Sequence, residues 1–504
     1  MERVLLLWHN NMGPEMESEF IHAVRRFSTI VPDGIVPRWS LFAGSGLGSK
    51  FFQALEQIWH RLYGIQISFD CNLYCEKDVG KQEHLREQFN PRYLIGDVKE
   101  LSGDRATNLA STEASELLPF CFSLDAGFPC TSRTPLSSKR SSNVNCVQQE
   151  REATGEGFKV VYECVTKHWP QILSLECVKQ LNQKTDDQDM SDTSYRLQKL
   201  RAAGYWAHAD VLAAEDFGAP GPRERTYWAG LLGLAGNPDH ITAFFNKVLV
   251  SLKVGPVFDV VEDFLTMDDE ERSAVAAALR MPQHVGHKDS KSLKDNPNWK
   301  FEHKVFFDDN DVAWPVDLSK PIENGNLLSN GLLPREVEVA ALLHTVWPRP
   351  EGCKVEFIDV NPALSRILKS HVDDDSHAPN RLSSPWRKSL PTLTGSCKVV
   401  VRWLSPDGII QLRALEGWEY FRLIGWDDSM WWVSRQPRAE ERPDDYADLV
   451  RNMAGNAYTF FHYAPWMLAT IATYGKFWNN FCHGTMDNDE QPEVVADSDG
   501  SMSS

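Results

Sequence analysis

No run in this 504-residue chain approaches twenty uninterrupted apolar residues, so the pattern predicts no membrane-spanning helix. The opening segment, MERVLLLWHNNMGPEMESE, has a short apolar run. It has neither the basic flank nor the small-residue cleavage site of a secretory signal. Cysteine is sparse, ten residues in all, which is too few for a dense disulfide framework and points to a reducing compartment. The CNLYC pair, Cys71 and Cys75, stands alone, so no metal site is expected. Positive charge is also short: 52 basic against 70 acidic residues, a net charge of −18. That excludes a protein holding nucleic acid by bulk charge, but not one with a local basic cleft. No internal repeat is present, and the acidic runs (DQDMSD at 186–191, DDEER at 268–272, DDD at 373–375, EERPDD at 440–445) read as solvated surface.

What is present is an alternation. Residues 1–38 read as a polar extension with one amphipathic segment. From Trp39, WSLFAGSGLGSKFFQALEQIWHRLYG reads as a strand, a glycine-rich turn and a helix. ISFDCNLYCEKD is a second strand, VGKQEHLREQF a helix, and RYLIGDVKEL a strand ending at Asp97. PFCFSLDAGFPC is a strand ending at Cys130, GEGFKVVYECVTKHW a helix, and QILSLECV another strand. Short apolar runs alternating with helical runs predict an α/β fold, a mostly parallel sheet with helices on both faces. Such sheets bind ligands beyond the carboxyl ends of their strands. Gly44, Glu76, Asp97, Cys130 and Glu176 all fall near those ends. Residues 235–395 lose the rhythm and read as a second, irregular domain, with histidines 284, 287 and 303 in polar loops. Order returns over 396–484, with a helix from about Ala464 to Phe477. The acidic tail, 485–504, is expected to be disordered.

The strand-end residues suit one chemistry. Gly44, Gly46 and Gly48 permit a tight turn whose backbone N–H groups approach a ligand, either phosphate or the amino-acid end of S-adenosylmethionine. Glu76 can accept from ribose hydroxyls, and Asp97 from an adenine amino group. Pro129 fixes the backbone before Cys130. Glu176 ends an apolar strand, where carboxylates are rare unless paired or functional. Arg223 and Arg225 alternate on one face of an extended segment, so both guanidiniums are expected in a cleft. A thiolate adding to carbon 6 of cytosine makes carbon 5 nucleophilic. A carboxylic acid on nitrogen 3 stabilises the charge that develops, and arginine holds the oxygen at carbon 2.

In order along the chain, these motifs resemble the cytosine-5 DNA methyltransferase family. SLFAGSGLG (40–48), YCEKD and GDVKEL are similar to its cofactor motifs, and AGFPC (126–130) to its nucleophile motif. LECV (175–178) is similar to Glu-Asn-Val, and DFGAPGPRERTYWAG (216–230) to Gln-x-Arg-x-Arg. LPTLTGS (390–396), YFRLIGWDD (420–428) and AGNAY (454–458) resemble the closing segments. The resemblance implies a Rossmann-like S-adenosyl-L-methionine-dependent core over 39–234, a target recognition domain over 235–395, and a return to the core over 396–484. It implies Cys130 as nucleophile, Glu176 on nitrogen 3, and Arg225 with Arg223 at the base. Phe42, Gly44, Gly46, Glu76, Asp97 and Asn456 would serve the cofactor. Double-stranded DNA is the implied partner, with the target base flipped out. A nuclear location and protein partners for targeting complete the expectation. The sequence departs from the family at Ser40 (usually Asp), Leu47 (Gly), Thr131 and Arg133, Cys177 (Asn) and Gly221 (Gln). A catalytically weak or silent DNA-binding or regulatory scaffold of the same fold is the alternative reading. An enzyme acting on transfer RNA and a nucleotide-cofactor oxidoreductase stand behind it.

Overall fold

The computed structural model describes residues 1–113, 115–130, 132, 146–184, 189–258, 263–265, 270, 299–309, 332, 334–347, 355–362, 364, 367, 386–388, 390–404, 410–426 and 443–479. Thr131, Arg133, His284, His287 and the 485–504 tail lie outside these residues; His303, expected in a polar loop, is instead buried in the helix Trp299–Asp309 against Glu338.

Among the described residues, twelve strands follow one another: β1 (Ile35–Leu41), β2 (Ser68–Cys75), β3 (Tyr93–Ile95), β4 (Arg105–Ala106), β5 (Glu116–Leu117), β6 (Ser123–Gly127), β7 (Ile172–Val178), β8 (Trp206–Ala213), β9 (Glu224–Leu231), β10 (Val355–Asp359), β11 (Val399–Leu404) and β12 (Ile410–Ala414). Seven build the main sheet in the order β3-β2-β1-β6-β7-β9-β8. The first five of that order run parallel, and β9 enters antiparallel to both its neighbours. This is a Rossmann-like α/β architecture, with the order reversing beside β1. All seven residues of β7, ILSLECV, are buried, as a central strand covered on both faces requires.

Helices α1 (Glu2–Asn11) and α2 (Pro14–Ile30) precede the sheet. The sequence reading treats this stretch as a polar extension, yet both helices bury an apolar stripe. In α2, Met16, Phe20, Ala23, Val24 and Phe27 recur at helical spacing and are buried. Trp8 of α1 is fully buried and stacks on Phe460 at 5.3 Å. Their partner is the last helix, Phe460–Phe477, in which every residue through Gly475 is buried. That helix starts four residues before the sequence-predicted Ala464. A Cβ on Gly475 would lie 2.2 Å from the carbonyl oxygen of Ala23, so glycine is what lets the two backbones touch. Helices α3 (Leu47–Tyr63), α4 (Val79–Phe89), α5 (Glu152–His168) and α6 (Asp192–Ala202) cover the sheet.

The irregular span expected from residue 235 begins with a regular element instead. Helix α7 (Pro238–Ser251) packs on the last helix, with Phe245 meeting Trp466 at 4.8 Å. Further on, β10, β11 and β12 form a separate antiparallel sheet with its own apolar cluster. Its buried charges are paired: Arg402 with Glu356 at 2.7 Å and Arg413 with Glu419 at 2.7 Å. Among the described residues no helix is long and apolar enough to cross a membrane.

Candidate active site

The chain leaves β1 through Phe42, Gly44 and Gly46, all with positive φ (54°, 55° and 73°). Gly46 then caps α3. A Cβ on Gly46 would meet the Phe89 ring at 2.3 Å, so the turn tolerates no side chain there. Leu47, a departure from the family pattern, is the first residue of α3 and lies buried in the main apolar cluster.

Glu76 directly follows β2. Its carboxylate accepts from the Gly44 N–H at 2.9 Å and from the Asp78 N–H at 2.9 Å. Two backbone donors leave further acceptor sites on a carboxylate that carries about four. Asp97 follows β3, is exposed, and accepts from the Lys99 N–H at 3.0 Å as it caps a short 3₁₀ turn. The glycine turn, Glu76 and Asp97 therefore stand at the carboxyl edge of adjacent parallel strands. Asn456 ends helix Pro443–Asn456; it is exposed, donates to Asn452 Oδ1 at 3.1 Å and lies against Gly395. Asn456 thus lies beside the 394–395 turn.

The second half of the site forms beyond β6 and β7. Cys130 is a free, half-buried thiol three residues past the end of β6. Glu176 registers with Gly127 on one side and Tyr227 on the other. Arg225 donates from Nε to Glu176 Oε1 at 3.0 Å. Burial raises the Glu176 carboxyl above the ordinary range, with Arg225 and Arg223 pulling the other way. The Cys130 thiol is held below its ordinary value by the hydrogen bond from Cys177. Burial and Glu176 oppose that shift, and Arg225 and Arg223 assist it. Cys177 is itself pushed well up by burial and stays protonated.

Arg223 departs from the expectation that both guanidiniums enter the cleft. It is buried, and its donors go to carbonyl oxygens: Leu393 at 2.7 Å, Gly455 at 3.2 Å and Ala457 at 2.7 Å. Burial and the neighbouring Arg225 lower it to about 10. Pro222 and Arg223 precede β9, so the side chain leaves the ladder where the 390–396 and 454–458 segments converge. Gly221, where the family usually has Gln, faces Leu390 there; a Cβ would lie 2.9 Å from the Leu390 Cβ.

With this geometry in view, the sequence profile of the C-5 cytosine-specific DNA methylases matches residues 37–298, just over half of the 504 residues. The chain belongs to the C-5 cytosine-specific DNA methylase family. As a member it is divergent. It is 32% identical over 119 residues to the DNA (cytosine-5-)-methyltransferase DMT5 of Cryptococcus neoformans, covering 23% of this chain and 5% of that protein. It is 28% identical over 175 residues to the type II methyltransferase M.DsaV of Dactylococcopsis salina, covering 34% and 43%. The chain thus matches less than half the length of these two relatives. Among solved structures, the S. pombe Dnmt2 methyltransferase aligns over 86% of this chain and 98% of its own, at 12% identity and a TM-score of 0.39.

In this methylase two further groups back the site that the sequence reading passed over. Ser40 stands where the family's first motif usually has Asp, and it registers with Asp125 on β6. Ser40 Oγ donates to Asp125 Oδ2 at 2.8 Å. Tyr458 donates to the same oxygen at 3.0 Å, and Arg38 pairs with Oδ1 at 2.5 Å. The carboxylate missing at 40 is present one strand over. Tyr458 also closes on Gly127, where a Cβ would lie 2.8 Å from its ring. The signal was available: Asp125 and Arg38 are single charges inside the apolar strands LDAG and VPRWSL. The other missed group is Arg196 of α6, buried with its guanidinium over the rings of Phe128, Phe158 and Trp228; its sequence context on an ordinary polar helix gives no cue.

Proposed function

We propose that this methylase transfers a methyl group to carbon 5 of cytosine in double-stranded DNA, through a covalent bond between Cys130 and carbon 6 of a flipped base. The observation that carries the reading is the convergence, at one sheet edge, of a half-buried thiol held below its ordinary pKa, a buried carboxyl held above its own, and Arg225 bridging to that carboxyl. Those are the protonation states the reaction needs: a thiolate to attack and a carboxylic acid to donate to nitrogen 3. Cys130 attacks carbon 6, Glu176 stabilises the charge that develops on the ring, and Arg225 orients Glu176 and the base; after carbon 5 takes the methyl group, loss of the carbon 5 proton to a base breaks the bond from carbon 6 to sulfur and frees Cys130.

The neighbouring turn fits S-adenosyl-L-methionine. Gly44 brings its backbone to the edge with no Cβ, and the Glu76 carboxylate, fixed by two backbone N–H groups, keeps acceptor sites for ribose hydroxyls. Phe42, Gly44, Glu76 and Asp97 would hold the cofactor, which supplies an electrophilic methyl group when bound. The separate β10–β12 sheet and the span around it would read the DNA, because the net charge of −18 leaves binding to local groups rather than bulk charge.

Transfer of tritiated methyl groups to duplex DNA tests the reading. The full chain should label DNA, and Cys130→Ala should lose that labelling while remaining folded. Labelling retained by Cys130→Ala would refute the covalent route.

A further inference from the structure

The two oxygens of the Glu176 carboxyl have different surroundings. Oε1 takes the Arg225 Nε–H at 3.0 Å. Oε2 lies toward Gly127, which registers with Glu176 across the β6–β7 ladder. A Cβ on Gly127 would stand 3.4 Å from Oε2, and 2.8 and 3.2 Å from Cε1 and Cδ1 of Tyr458. The tyrosine ring and the acid oxygen thus border one space, which glycine leaves free. Tyr458 and Glu176 are both buried.

Two contacts fix the ring. Its hydroxyl donates to Asp125 Oδ2 at 3.0 Å. Its face stacks on Tyr463 at 4.8 Å, with 12° between the planes, and the Tyr463 hydroxyl accepts from Arg38 at 3.4 Å. Asp125 already takes Arg38 on Oδ1 and Ser40 on Oδ2, so it does not need the tyrosine to be satisfied. Phenylalanine would fill the same place without a buried hydroxyl that must find a partner. What the hydroxyl adds is orientation. It ties the ring to a carboxylate that is itself held between β1 and β6.

We infer that Tyr458 is a positioning residue for the acid: anchored on Asp125, its ring shields the Oε2 side of Glu176 from water. Water donates to a carboxylate far better than a ring edge does, so excluding it favours the carboxylic acid. The ionisable groups facing Glu176 are Arg225, Arg223 and Tyr227 on β9 and its approach, Cys130 past β6, and Cys177 beside it on β7. Both arginines favour the carboxylate, and burial favours the acid. The inference rests on Glu176 being the acid of the proposed reaction, and extends it to the residue that keeps that acid protonated.

The test is a pH titration of the protonated-carboxyl infrared band of the full chain, assigned to Glu176 by its absence from Glu176→Gln. The wild-type midpoint should lie above that of an ordinary glutamate; a midpoint at the ordinary value would overturn the inference. Tyr458→Ala admits water and should lower the midpoint by about one pH unit, a tenfold loss of the acid form at higher pH. Tyr458→Phe keeps the ring but not its anchor, and should lower the midpoint by part of that. Because phenylalanine keeps the packed volume, it decides the matter even where the alanine variant does not fold. A wild-type midpoint in Tyr458→Phe, or in a folded Tyr458→Ala, overturns the inference, since a ring that only fills space leaves the titration unmoved. The readout needs neither DNA nor methyl donor. An absent methyl transfer counts against the proposed reaction, whereas an unmoved carboxyl midpoint counts against Tyr458 alone.

Discussion

Glu176 and Cys130 lie a few residues from the same strand ends, yet their environments push them in opposite directions. Cys130 gains a thiol donor and two cations. Glu176 is desolvated, and Arg225 only partly offsets that. Glu176 is raised, so its acid form persists to higher pH than a free glutamate's and is lost as pH climbs through the folded value. Methyl transfer should therefore decline on the alkaline side of its profile. Glu176→Gln should lower kcat about 100-fold and remove that alkaline limb, with Cys130 alkylation retained. An unchanged alkaline limb in the variant would assign the titration to another group. Cys130, Glu176, Glu76 and Asp97 were legible as polar residues closing apolar runs, because strand ends in parallel sheets are where polar groups gather. Asp125 and Arg38 also stood out, as single charges in apolar strands, but that they meet across the adjoining strands β6 and β1 leaves no mark on local spacing, and Arg196 on its polar helix gave no cue.

Two arginines that the sequence presents as a pair part company in the fold. Arg225 lies in the β9 ladder beside Glu176. Arg223 lies just outside it and binds the last segment of the chain to the sheet through the carbonyls of Leu393, Gly455 and Ala457. Arg223→Met leaves those buried acceptors unpaired and should cost about 3 kcal/mol of stability, measured as a lower midpoint in urea. Arg225→Met should instead suppress methyl transfer with a much smaller effect on that midpoint. Equal urea midpoints for wild type and Arg223→Met would refute the clamp. The elements named between Trp39 and Val178 were readable because each carries a single period bounded by turn residues; Val79–Phe89, for example, is predicted at its observed bounds, whereas the short β4 and β5, and α6 and β8 beyond Val178, were not named. Helices α1 and α2 were obscured because charged residues are interleaved with their apolar stripe. Their burial depends on a helix more than 400 residues away in sequence, with Trp8 resting on Phe460.

Across the whole molecule, the first and last helices enclose one side of a seven-stranded sheet whose carboxyl edge carries both halves of the site. The chain returns to that sheet after a long excursion that includes a second, smaller sheet. The arrangement leaves the cofactor turn, the thiol and Glu176 on neighbouring strands, so that a donor and a flipped base could share one edge. Arg38, Ser40 and Tyr458 converge on Asp125 behind that edge, joining β1, β6 and the final segment. The central claim is that Cys130 forms a covalent bond to the target base. The direct measurement is trapping on duplex DNA that carries 5-fluorocytosine, with S-adenosyl-L-methionine present, followed by mass spectrometry of the Cys130 peptide. The account predicts a peptide–nucleotide adduct at Cys130 that is absent in Cys130→Ala. An adduct at another cysteine, or none on any duplex that the protein binds, would contradict it.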